Sequence, residues 1–208
     1  MSGIIAQNIL NSSGLVKAPE GGGAWNFIKK LTASASATLS FVDGTDGVVL
    51  DDTYKEYVFT FKDIHPATDQ VNLSFNFSVD TGSNYNVAKT SATFNAIHDE
   101  GGSTTELAYN GYGLAQGTGF QSITRDIGAD ADQSLSGSMS LFNPSSTTFV
   151  KHFIANVNLA NRADYTVNMF SSGYGNTTSA VDAIQFKMSS GNIDAGDICL
   201  YGISSWQV

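Results

Sequence analysis

The amino-acid sequence predicts an all-β protein: an antiparallel, jelly-roll-like β-sandwich preceded by an extended N-terminal arm. Apolar and polar residues alternate in several segments, most clearly in 71–79 and 134–142, and a period of two is typical of half-buried strands. These segments recur at short spacing with turn signals between them, as in sandwiches and barrels. Only 14% of the residues are charged and 21 of the 208 are glycine, a composition that suits turns and solvent-facing strand positions.

The first 23 residues are predicted to form an anchoring arm, separate from a single sandwich domain at 24–208. The arm is sparsely apolar and ends in three consecutive glycines, which indicate a hinge. A short apolar segment cannot build its own core, so we expect it to pack on a neighbouring subunit or another protein, with a disordered tail as the alternative. The predicted packing residues are Ile4, Ile5, Ile9, Leu10, Leu15 and Val16.

The first half of the domain contains six predicted strands, each rich in β-branched or aromatic residues between turn signals. The third places Tyr57, Phe59 and Phe61 on one side, and the fourth alternates apolar residues, predicted inside, with Asn and Ser, predicted outside. The six strands are predicted at 25–31, 38–42, 54–64, 71–79, 87–98 and 104–109.

The second half begins with an irregular, glycine-interrupted segment, 111–132, in which we expect a single helical turn at 122–127. A hairpin follows at 134–159, with a turn around Asn143-Pro144. Its second arm is predicted to place Phe149 and Phe153 on one apolar face, with Lys151 among the apolar residues. Further strands are predicted at 165–171, 183–189 and 197–203.

The charge balance argues against several classes of partner. The net charge of −9 repels phosphate backbones and anionic membrane surfaces, so we expect neither nucleic acid nor membrane as a partner. The N-terminus has neither the basic nor the apolar region of a signal peptide, which predicts synthesis in a cytoplasm without export by that route. The single cysteine, Cys199, is expected to be a small buried hydrophobe.

Motifs for catalysis or metal binding are absent from the sequence. His65, His98 and His152 have no paired ligand spacing, and the aspartates of the turns lack EF-hand spacing. No nucleophile elbow or phosphate loop occurs. We therefore expect no catalytic residues, cofactor or metal, although dispersed carboxylates leave a glycan-degrading enzyme open.

Two glycine-rich stretches place tyrosines beside Asn, around Tyr109 and Tyr112 and around Tyr174. An exposed tyrosine with polar neighbours can stack on a sugar, so these three residues are candidate glycan-binding positions. The alternative is that they cap sheet edges or pack at a subunit interface.

Together, several strings in the domain resemble a family of tailed-bacteriophage virion proteins of the kind common in marine phages and cyanophages. The resemblance covers most of residues 24–203 and includes a C-terminal strand that ends in LYGI. The strings are YVFTFKDIHPATD at 57–69, SNYNV at 83–87, LFNPSSTTFVKHF at 141–153, TTSA at 177–180 and FKMSSGNIDAGDICLYGI at 186–203.

This resemblance implies a structural component of the virion, a fibre, spike or decoration protein, and supplies no catalytic motif. It implies other virion proteins as partners through the arm, a homo-oligomer with a trimer favoured, and a role in host attachment. The alternative function is a carbohydrate-binding module that recognises a glycan of the host surface.

Overall fold

The structure is a computed structural model that describes residues 24–204. The predicted arm, with all six of its packing residues, lies outside the described residues, as do 205–208. Within the described range the chain forms β-strands and no helix, which confirms the predicted all-β class. The strands are β1 (Trp25–Thr32), β2 (Leu39–Val42), β3 (Glu56–Pro66), β4 (Leu73–Ser78), β5 (Lys89–Asp99), β6 (Thr105–Tyr109), β7 (Gln121–Ser122), β8 (Leu135–Phe142), β9 (Lys151–Ala160), β10 (Tyr165–Gly175), β11 (Ala183–Met188) and β12 (Ile193–Ile203).

These strands form two antiparallel sheets that pack face to face. The large sheet has eight strands in the order β1-β12-β3-β8-β9-β10-β5-β6, and the small sheet has four in the order β2-β11-β4-β7. The set β1-β12-β3-β8 together with the small sheet has the strand order of an eight-stranded jelly roll. The predicted sandwich is therefore confirmed, and β9, β10, β5 and β6 widen its large sheet to twice the width of the small one.

Aromatic side chains fill the space between the two sheets. Phe59 of the large sheet packs on Phe186 of the small sheet with ring centroids 5.4 Å apart, and Phe153 packs on Phe75 at 5.0 Å. All four rings are buried, and both contacts have the tilted or edge-on geometry that aromatic pairs prefer. The period-two patterns of the sequence correctly placed Phe59, Phe75 and Phe153 on the apolar faces of their strands.

The predicted hairpin at 134–159 is confirmed, with one exception. Strands β8 and β9 pair from Leu135 opposite Leu159 to Leu141 opposite Phe153. Phe149 was predicted on the apolar face, but it is 67% exposed and precedes the ladder. The connection between the two strands is longer than the turn predicted around Asn143-Pro144, because β8 ends at Phe142 and β9 begins only at Lys151.

The helical turn predicted at 122–127 was wrong. The backbone of this segment runs beside β4, where the N–H of Ile123 donates to Leu73 at 2.9 Å and the N–H of Ile127 donates to Val71 at 2.8 Å. Both isoleucines are fully buried. Tertiary packing therefore holds the segment against the small sheet instead of in a helical turn, although its sequence is irregular.

Two predictions of side-chain environment were also wrong. The polar residues of β4 were predicted to face outward, yet Ser74, Asn76 and Ser78 are buried. The Asn76 amide donates to the Tyr85 and Thr118 carbonyls, and the Ser78 hydroxyl donates to Asp80. Cys199 is only partly buried, since it lies on the outward side of the large sheet opposite Thr60. Alternation identifies residues that share a face, but it does not show what covers that face.

Candidate functional site

The four strands that widen the large sheet present a broad outward surface, which we call the extension face. Inward residues of these strands, such as Phe153, Val157 and Val167, are buried, so the alternate positions point away from the sandwich. The extension face consists of His152, Ile154, Asn156, Asn158 and Ala160 of β9; Thr166, Asn168, Phe170, Ser172 and Tyr174 of β10; Thr90, Ala92, Phe94, Ala96 and His98 of β5; and Thr105, Leu107 and Tyr109 of β6.

Large apolar side chains on this face are exposed. Leu107 is 76% exposed, Tyr109 72%, Ile154 54% and Phe94 44%. Phe94 and Phe170 are opposite each other on adjacent strands and stack with ring centroids 4.9 Å apart and planes 9° apart. On the other side of Phe94, Tyr109 of the edge strand β6 is opposite it, so the three aromatic residues lie side by side in one row across β10, β5 and β6. The face therefore carries a continuous apolar row across three strands.

Formal charge is absent from the extension face. None of its residues is Lys, Arg, Asp or Glu, although the chain contains 10 basic and 19 acidic residues. At the opposite edge of the same sheet the outward side includes charged residues, and Lys30 pairs there with Asp197 at 3.3 Å. Exposed Trp25 and Phe27 lie on that edge strand as well. A charge-free surface of this width in an acidic protein resembles the core of an interface, from which charged residues are depleted.

The structure does not gather the three candidate tyrosines into one platform. Tyr109 and Tyr174 share the extension face, but they are two strands and four residues apart, a separation of about 16 Å from standard strand dimensions. Tyr174 packs edge-on against His152 with ring centroids 6.0 Å apart. Tyr112 is half-buried in the loop after β6. Glycan binding by these residues stays a prediction.

Sequence reasoning missed Phe94 on this face, because β5 has an inverted pattern. Its inward residues Lys89, Thr93 and Asn95 are polar and fully buried, whereas its outward residues Ala92 and Phe94 are exposed. The sequence of β5 does have apolar residues at every second position. It does not show that this apolar side faces outward, because the apolar side of a strand normally faces the core.

The loop after β6 and the segment that follows satisfy the polar inward side of β5. The Thr93 hydroxyl donates to Asn110, whose own amide donates to Asn95 at 3.0 Å. Nearer the start of β5, the Ser91 hydroxyl donates to the side chain of Gln121. Buried polar groups with partners cost little, so β5 can keep a polar inner side. The side-chain nitrogen of Asn95 is the exception on this strand, since it is buried without a partner among the described residues.

Lys89 and Asn76 form a buried polar link at the edge of the sandwich. The Lys89 Nζ donates to the Asn76 side-chain oxygen and to the Val87 carbonyl at 2.8 Å. The amide nitrogen of Asn76 donates to the Tyr85 carbonyl at 2.7 Å and to the Thr118 carbonyl at 2.9 Å. Burial lowers the pKa of Lys89 to about 7, because the charged form loses its hydration. The link ties two loops to the large and small sheets.

A second buried lysine, Lys151, lies two strands away from Lys89. Gly175 of β10 is opposite Lys89 of β5 on one side and opposite Lys151 of β9 on the other. The Nζ of Lys151 donates to the carbonyls of Phe149 at 2.7 Å and Thr177 at 3.2 Å. Burial lowers the pKa of Lys151 as well. Its place on the buried face agrees with the alternation of the sequence, and backbone carbonyls replace the water that its ammonium group would otherwise bind.

An acidic cleft of about 500 Å³ lies where the β5–β6 and β9–β10 turns meet. Its lining includes Asp99, Glu100, Asp132, Asp164 and Tyr165. Hydrogen bonds from the Ser103 side chain and the Thr104 backbone lower the pKa of Asp99 and hold the turn in shape. Within residues 24–204, no group of three His, Cys, Asp or Glu is placed to hold a metal ion. The carboxylate of Asp99 thus has a structural use in the turn.

The described part of the chain contains no helix with the length and apolar character needed to cross a membrane. No protein-family model matches the sequence, and neither does any curated protein. Among solved structures, the chain is similar to the CBM2 module of the evolved Dit of Lactobacillus casei BL23 phage J-1. The identity is 9% and the TM-score 0.24, over 90% of this chain and 83% of that chain. A likeness of this strength supports no argument about fold or function.

Proposed function

We propose that this protein is a non-enzymatic structural component of a bacteriophage virion: a fibre, spike or decoration protein. The observation that carries the proposal is the extension face, a wide, uncharged and partly apolar surface on an acidic protein. Such a surface is typical of proteins that assemble, since monomeric soluble proteins rarely expose large apolar patches. The sequence resemblance to tailed-phage virion proteins indicates the particle in which assembly would occur.

The point at which the described domain begins supports this role. Residue 24 leads directly into β1, which is one edge of the large sheet, whereas β6 is the opposite edge. Seven strand spacings separate the two edges, about 34 Å along the sheet. The arm can therefore attach the domain to other virion proteins at one edge, while the extension face stays available for contacts at the other.

Removal of residues 1–23 tests this proposal. Particles should incorporate the full-length chain but not the truncated one, whereas the truncated chain should keep the β-sheet signal and melting behaviour of the full-length protein. The measurement is mass spectrometry of purified particles, followed by location of the chain in a reconstruction. Normal incorporation of the truncated chain would contradict anchoring by the arm, and absence of the full-length chain from particles would contradict the virion role.

Host attachment through surface glycans is the second candidate function, and the 72% exposure of Tyr109 favours it. Exposed tyrosine rings stack on the apolar faces of sugars. The test is a glycan array with the full-length chain and with Tyr109→Ala. Binding that the substitution abolishes supports this function, and no binding to any host saccharide contradicts it.

A further inference from the structure

We propose that the extension face is a self-association surface, on which a second copy of this chain packs face to face. The proposal deepens the assembly role proposed above and rests on it, but its test needs only the purified protein. Four features of the face identify the partner: its inverted polarity, its lack of charge, the chemistry of its exposed groups, and its size.

The inverted polarity of β5 shows that the face needs a cover. This strand places Thr93 and Asn95 inside the fold, where each has hydrogen-bond partners, and places Phe94 outside at 44% exposure. The edge strand adds Leu107 on the same outward side, 76% exposed. Within one chain these apolar groups stay in water, whereas a second face of the same kind would remove them from water.

The lack of charge identifies the partner as another copy. Two molecules of net charge −9 repel each other at most orientations, so a contact between them is best made through surfaces without carboxylates. The extension face meets this requirement, since its polar members are Asn, Ser, Thr, His and Tyr. A strongly basic partner, by contrast, would find no carboxylate on this face to pair with.

The chemistry of the exposed groups favours protein over sugar. The rings of Phe94 and Phe170 stack on each other, so each ring has one face occupied. The aliphatic side chains of Leu107 and Ile154 provide no stacking platform, but they pack well against apolar side chains. A saccharide would leave much of this apolar area in contact with water.

The area of the face is sufficient for a stable contact. Four strands spaced about 4.8 Å apart and about 30 Å long give roughly 600 Å² of flat outline for each copy. Complete overlap of two copies would therefore bury about 1,200 Å², which is the lower limit of specific, stable interfaces. The same surface contributes from both copies, so the contact is two-fold symmetric and its product is a dimer rather than the trimer that the resemblance favours.

The test is the molar mass of the full-length chain by light scattering after size exclusion, across a hundredfold range of concentration. The wild type should have twice the mass of one chain, and Leu107→Asp should shift the mass to that of one chain or weaken association at least tenfold. Phe149→Asp is the matched control, because Phe149 is 67% exposed and lies outside the extension face. Its mass should equal that of the wild type.

Three results would overturn the proposal. A monomeric wild type would exclude the contact, a Leu107→Asp variant with unchanged association would place the contact elsewhere, and a trimer would exclude the two-fold arrangement. The folding of each variant is checked by its circular dichroism and melting temperature. The absence of a dimer would contradict the self-association surface alone. The virion role is tested separately, by incorporation of the chain into particles.

Discussion

Replacement of Lys89 by Met should remove a pH dependence from the stability of this protein. The pKa of Lys89 falls from about 10.5 to about 7 on folding, since the Nζ is buried and has neutral acceptors. Between these two values the unfolded chain binds the proton more tightly than the folded chain does. The stability of the wild type must therefore increase as the pH rises from 7 toward 10.5, and the whole cost of burying the charge is present below pH 7.

The expected magnitude follows from the two pKa values. With one pKa unit equivalent to about 1.4 kcal/mol, the Lys89 contribution to the free energy of unfolding rises by roughly 3.5 kcal/mol between pH 7 and pH 10. Lys89→Met lacks this titrating group. Between pH 7 and pH 10 the free energy of unfolding of the wild type should therefore rise by that amount relative to the free energy of unfolding of the variant. Other groups titrate in both proteins and cancel in the difference.

Denaturant unfolding at pH 7, 8, 9 and 10 measures this difference. Lys55→Met, which removes an exposed lysine, is the control for the loss of one positive charge. Its stability difference from the wild type should stay nearly constant over the same range. If the Lys89→Met difference also stays constant to within about 0.5 kcal/mol, Lys89 has an ordinary pKa in the folded protein and the reasoning from burial is refuted.

Three further substitutions test the packing by denaturant unfolding at pH 7. Gly137→Ala should destabilise the fold by about 1–3 kcal/mol, because a Cβ would collide with the Asn156 carbonyl oxygen and lie 2.7 Å from the Val157 Cα of β9. The control is Gly111→Ala, whose Cβ meets nothing within 4 Å, and equal losses would contradict this. Asn76→Ala should cost about 1–3 kcal/mol, because the carbonyls of Tyr85 and Thr118 lose their donor and buried Lys89 loses one of its two acceptors. A neutral result would show that water replaces the amide. Phe186→Ala should cost about 3–5 kcal/mol through the cavity left among four packed rings, and a loss under 1 kcal/mol would mean that the core collapses into it.

The sequence contains most of the information that determines the sandwich. Strong alternation around Phe59 and Phe186 correctly predicted strands, their boundaries to within a few residues, and their buried faces. The same reasoning failed at 122–127, because hydrogen bonds to β4 hold an irregular segment against the small sheet. It also failed at Phe149, where the period of two continued into a turn that is outside the ladder.

The candidate site was less predictable, because it depends on contacts between distant segments. Tyr109 was identified as an exposed aromatic, yet its partners in the row, Phe94 and Phe170, are 15 and 61 residues away in sequence. Only the pairing of β5 with both β6 and β10 brings the three together. No local pattern reports that pairing, so a single sequence could name one member of the row but not the surface.

Strand β5 connects the internal chemistry of the protein to its proposed assembly. A strand with a polar inner side is stable here because the loop from Asn110 onward supplies partners for Thr93 and Asn95. The inner side keeps one apolar residue, Ile97, whereas Ala92, Phe94 and Ala96 lie on the outer side, where Phe94 stacks on Phe170. The polar loop from Asn110 onward and the apolar outer face therefore both follow from the polarity of β5, which is mainly polar on its inner side and apolar on its outer side. If a second copy covers that face, the inversion stabilises the assembly without weakening the core, since each side of β5 then has partners suited to its chemistry.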